Sequence, residues 1–182
     1  MSTTATAVTP GTWTIDPTHT EVGFTVRHLM GKVRGKFETV EGTLVTAEDV
    51  TASTVSVTVD LSSINTGTAD RDNHLRSGDF FDVESHPQMT FVTTGVVQKS
   101  DTDFAIAGDL TIRGTTKPVE LAVEFLGEGK DPWGGTRVGI EATGVISRKD
   151  FGITFNIPVE GEKVMIGDKI TLQISAEAVL QA

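Results

Sequence analysis

Residues 170–180 read Ile-Thr-Leu-Gln-Ile-Ser-Ala-Glu-Ala-Val-Leu. Every even position is apolar, and all the odd positions but Val179 are polar. Successive Cβ atoms on a strand point to opposite faces, so this spacing builds a strand with one face toward a core and one toward water. The same period recurs upstream at Val22, Phe24, Val26 and His28, and at Val55, Val57, Val59 and Leu61. It returns in the rows Phe104 to Ile112, Val119 to Phe125, and Val138 to Ile146. Two weaker stretches, 33–46 and 88–97, bring the number of strands to eight. Phe37 and Leu44 differ in parity, which predicts a bulge between them.

Eight one-sided antiparallel strands of about ten residues are long for a sandwich, and closing them into a barrel removes the unpaired edges. The expected fold is all-β, a single extended eight-stranded antiparallel barrel, with a two-sheet sandwich as the alternative. A short helix is expected in segment 62–86, capped at Thr68 or Asp70, supported by an Asp72/Arg76 pair and stopped at Gly78. Segment 148–168 carries Phe151, Ile153, Phe155 and Ile157, too apolar for a purely solvated loop. Either segment could cover a barrel mouth. Residues 1–11 read as a mobile tail ahead of a single domain, 12–182.

The chain has 182 residues, 37% of them hydrophobic, and a formal net charge of −10. That balance, with no Lys- or Arg-rich run, leaves no expected footprint for nucleic acid or an anionic lipid surface. The absence of cysteine removes disulfides, thiolate nucleophiles and thiolate metal sites. No apolar run approaches the roughly 20 residues of a membrane helix, so no integral membrane segment is expected. The N-terminus lacks the basic start and apolar stretch of a secretory signal, which predicts a cytoplasmic protein. The sequence leaves the oligomeric state open, a homodimer included.

No P-loop, G-x-S-x-G elbow or H-E-x-x-H motif is present. Asp70, Asp72 and His74 have the opening spacing of a calcium loop, but Leu75 and Phe81 stand where that loop needs Gly and Glu. The four histidines do not form a ligand pattern. His28 closes an inward row, where it either bonds a local backbone group or meets a ligand at the cavity mouth. On a helix, Arg71, His74 and Leu75 share a face that could pack on the barrel end. No catalytic residue, metal or cofactor is called for. A period-two pattern looks the same in a filled barrel and a hollow one. Small inward residues, among them Gly108, Ala142, Gly144, Ala176 and Ala178, fit either.

Several blocks together resemble the YceI-like family. They are Trp13-Thr14-Ile15-Asp16-Pro17-Thr18-His19-Thr20, Val22 to Met30, Val33 to Phe37, Ser63 to Thr66, Arg71 to Leu75, Asp79 to Asp82, Pro87 to Phe91, Gly108 to Val119 and Ser147 to Gly152. They follow one another in order over about residues 12–181. The resemblance implies a lipocalin-like barrel that holds a long-chain isoprenoid lipid, a polyprenyl phosphate or a quinone tail, without catalysis. Many members of that family carry a secretory signal, which this N-terminus does not show. The residues expected around the ligand are Val22, Phe24, Val26, His28, Phe37, Leu61, His74, Leu75, Phe91, Leu110, Leu121, Phe125, Phe151 and Ile174. The rival readings are an enzyme acting on an isoprenoid or quinone head group through His28, Arg71 and His74, and an interaction protein with a filled barrel.

Overall fold

The alternation at 170–180 belongs to a strand that runs the full height of the molecule. In the computed structural model, which describes residues 8–161 and 164–182, that strand is β11 (Ile166–Leu180). The others are β1 (Gly11–Ile15), β2 (Glu21–His28), β3 (Gly31–Phe37), β4 (Val40–Thr46), β5 (Thr54–Asp60), β6 (Ile64–Asn65), β7 (Gln88–Gln98), β8 (Asp103–Ile112), β9 (Thr115–Lys130) and β10 (Thr136–Ser147). Every pairing between them is antiparallel.

The eleven segments make eight barrel strands, because three strands are broken along their length. β1 and β2 both pair with β11, at Trp13↔Leu180 and Leu172↔Phe24, and are separated only by a turn at Pro17–His19. β3 and β4 continue each other, as do β5 and β6. The β1–β11 pairing closes the ring. The break at Glu38 and Thr39 puts Phe37 and Val40 both in the core, which is the parity change expected between Phe37 and Leu44.

Local side chains make the breaks at Asp16 and Asp60 and the turn between β4 and β5 at Asp49. Asp16, Asp49 and Asp60 each accept a hydrogen bond from the amide two residues on, at 2.9 to 3.0 Å, and each starts a short 3-10 turn. The side-chain oxygen satisfies an amide the ladder has released. Asp16 goes further, accepting from Arg137 at 2.8 Å and lying 2.8 Å from His19 Nδ1. Arg137 in turn donates to Asp131 at 2.8 Å, tying the β9–β10 turn to β1 and β2. Arg137, Thr18 and His19 hold the Asp16 carboxyl far below the usual carboxylate range.

The helix α1 spans Ala69–Arg76 with Thr68 at its N-cap. The expected Asp72/Arg76 pair is not formed. Asp72 is buried and accepts from the Thr66 amide and hydroxyl, while Arg76 donates to the carbonyls of Ser62 and Ile64. Backbone groups on both sides of β6 outcompete a surface ion pair of small net value. At the N-terminus, residues 1–7 lie outside the described ones, Gly11 opens β1, and the Thr9 amide and hydroxyl each donate to Glu128 at 2.8 Å.

Candidate functional site

The inward rows of the strands do not meet at the barrel axis. Three cavities follow one another along it, of about 180, 120 and 110 Å³. The first lies under α1 and the 148–168 segment, the second in the middle, and the third at the end that carries Val8 and Val50. Met89 and Leu172 line both the first and the second. Ile15, Val55, Ile106, Val123, Ile140 and Ala176 line both the second and the third. The shared walls set the three end to end as an apolar row along the axis, whose combined volume reaches the lower part of the roughly 300–1,000 Å³ typical of ligand sites.

Small inward residues act in two ways. A Cβ on Gly108 would stand 2.3 Å from the Phe91 ring, and one on Gly35 would stand 2.5 Å from that of Phe24. These glycines make room for large neighbours. Ala142 and Ala176, by contrast, border open space in the middle cavity. The taper is filled where glycines face rings and left hollow where alanines face the axis.

Of the residues expected around a ligand, Phe24, Val26, His28, Phe37, His74, Leu75 and Phe151 line the first cavity. Val22, Phe91, Leu110, Leu121 and Ile174 line the middle one, and Phe125 the last. Leu61 borders none of the three. It stands in the 3-10 turn after β5, fully buried in the core rather than on the tunnel wall. Phe80, Phe81, Ile153, Phe155 and Met165 also line the first cavity. They sit in irregular segments, where no period marks an inward face.

The polar groups of the first cavity are His28, Arg71, His74 and Arg148. Arg71 donates to the hydroxyl and carbonyl of Thr66 at 2.8 and 2.6 Å. His74 Nε2 lies 2.9 Å from Asp79, and its ring meets Phe80 and Phe155 edge-on with centroids 5.0 Å apart. His28 and His74 thus share one chamber, as a head-group enzyme would need. Among the described residues, however, the same lining holds no hydroxyl, amine or carboxylate.

Arg148 is the buried cation of the site, only 4% exposed. It donates to the carbonyls of Gly167 at 2.9 Å, Ile153 at 3.1 Å and Phe155 at 2.8 Å, with a longer contact to Ile166. Burial pulls its pKa down, and the charge of Asp168 partly offsets this. Asn156 adds bonds to the amide and carbonyl of Ile166. One guanidinium and one amide therefore pin an apolar strap over the mouth, the cover expected from segment 148–168.

A closed antiparallel barrel with an apolar bore, capped at one end by a helix and a strap, belongs to the lipocalin-like barrels. The particular family follows from comparison: the YceI-like domain matches residues 13–178, and the chain belongs to that family. It is 41% identical over 165 residues to protein YceI of Escherichia coli, covering 90% of this chain and 83% of that one, and equally so to protein YceI of Salmonella newport. Among solved structures, the Campylobacter jejuni YceI protein superposes with a TM-score of 0.70 at 30% identity, covering 82% of this chain and 86% of that one. A polyisoprenoid binding domain from Saccharophagus degradans shares the fold, with a TM-score of 0.67 at 14% identity over 95% of this chain and 100% of that one.

Proposed function

We propose that the protein binds one long-chain isoprenoid lipid along the barrel axis, without catalysis, to sequester, store or carry it. The observation that carries this reading is the run of three apolar cavities with shared walls and polar groups gathered chiefly at one end. A chain lies in such a bore with its apolar length out of water. The fold shared with the Saccharophagus degradans polyisoprenoid binding domain supports the choice of cargo. Among the described residues, the lining of the first cavity offers two imidazoles but no hydroxyl, amine or carboxylate for them to activate, which supports binding over turnover.

Burial drives the association. At about 0.8 kcal/mol per CH₂, each five-carbon unit contributes about 4 kcal/mol before ordering costs are subtracted. Chain length therefore governs affinity more than the head group does. The test is a titration of delipidated protein with prenyl alcohols of increasing length. Affinity that climbs with each added unit until the bore is full supports the proposal. Affinity independent of length contradicts it.

A further inference from the structure

The acidic chain conceals a local reversal of charge. Between Glu21 and Glu38 there is no carboxylate, while Arg27, Lys32, Arg34 and Lys36 fall there. The strand register gathers them on one outer face: Arg27 lies opposite Lys32, Thr25 opposite Arg34 and Gly23 opposite Lys36. All four are exposed, and none has an ion-pair partner among the described residues. Like charges directly opposed across a ladder are destabilising. Here no carboxylate among the described residues forms an ion pair with Arg27 or Lys32.

The tip of the same hairpin is apolar. His28 pairs with Gly31, leaving Leu29 and Met30 as a two-residue turn. Leu29 has φ of 53°, a conformation usually given to Gly, Asn or Asp in such turns. It is 49% exposed and Met30 is fully so. Beside them on the strap, Ile157 and Val164 are also exposed, and the Leu29 amide donates to the Met165 carbonyl at 2.8 Å. His28 and Met165, which flank this tip, line the first cavity. Large apolar side chains thus project from the rim of the tunnel, with exposed cations directly behind them.

From this arrangement we infer that the β2–β3 hairpin docks the barrel, mouth first, on an anionic phospholipid bilayer. Leu29 and Met30 enter the interface, and Arg27, Lys32 and Arg34 lie against the phosphates. Apolar tips backed by cations suit a surface that is apolar below and anionic above. A net charge of −10 over the whole chain turns the rest of the barrel away from such a surface and so orients the approach. The tunnel then opens at the membrane, where an apolar cargo can pass without crossing water. Docking goes beyond the lipid-binding reading, and vesicle association is measured without reference to any cargo, so the two can fail separately.

The experiment is co-sedimentation of the full chain at low salt with vesicles of phosphatidylglycerol mixed with phosphatidylcholine, and with phosphatidylcholine alone. The expected result is binding to the anionic vesicles only, weakened by added salt. Each cation near the surface contributes about fivefold, so Lys32→Glu with Arg34→Glu lowers the affinity at least about 25-fold. Leu29→Ser with Met30→Ser lowers it without removing the salt dependence. A Met30→Trp reporter in a Trp133→Phe background shifts its emission to the blue on the anionic vesicles. All these positions are exposed, and an unchanged circular dichroism spectrum verifies folding. Failure to sediment with anionic vesicles overturns the inference, as does equal binding by the variants. So does retention on DNA in place of vesicles, which would make the cationic face a nucleic-acid site.

Discussion

Replacing Ala176 with Leu divides the bore at a chosen depth. Ala176 lies on the inward row of β11 and lines both the middle cavity of about 120 Å³ and the last one of about 110 Å³. The substitution adds three carbons to a wall with open space in front of it, so the empty protein folds and gains up to about 2 kcal/mol from filling the void. A long chain loses what it placed in the last cavity. One excluded five-carbon unit forfeits about 4 kcal/mol gross, and a net loss of about half that lowers affinity roughly 30-fold. A short prenyl chain that ends in the first cavity never reaches residue 176 and binds the variant as it binds the parent. The assay is calorimetric titration of both proteins with short and long prenyl alcohols, alongside thermal unfolding without ligand. Long chains that bind the two proteins equally would refute an axial ligand path, and so would a loss shared by short and long chains.

Arg148→Met leaves three close carbonyl contacts unmatched. With relief of the buried charge set against them, the expected net cost is about 3 kcal/mol, or a fall in Tm of roughly 6–12 °C by calorimetry, together with faster hydrogen exchange in residues 153–157. Gly108→Val drives carbon into the Phe91 ring and the Val92 carbonyl, and should cost at least about 2 kcal/mol in a urea titration. The depressed pKa of Asp16 makes its contribution fully present above the ordinary value near 3.8 and progressively lost as pH falls toward the folded value. Asp16→Asn should therefore destabilise the protein by about 2 kcal/mol at neutral pH, with the gap from the parent narrowing below about pH 4 in pH-resolved unfolding curves.

Strands such as β8, β10 and β11 were legible because one face meets water and the other an apolar interior along their whole length. The strand β1 left no comparable row: Trp13 and Ile15 are its two buried residues, too few to show a period. The tunnel was not legible. Whether Ala142 and Ala176 face a void or a filling ring depends on what stands across the barrel, and alternation along one strand carries no record of that. The cap was half legible: apolar residues in 148–168 signalled a cover, but the burial of Arg148 depends on carbonyls from four residues that come together only when the strap folds back. The cationic face escaped a composition-based reading for a related reason. Its charges are spaced along two strands, and only the register of β2 with β3 gathers them.

Isoprenoid retention in the bore is tested most directly by mass spectrometry of the organic extract of the purified protein, paired with native mass spectrometry of the intact complex. One long-chain isoprenoid per chain, recovered from the parent and depleted in Ala176→Leu, is the predicted result. An extract that stays empty after incubation with polyprenyl phosphates and quinones would contradict it and leave a barrel that holds no lipid.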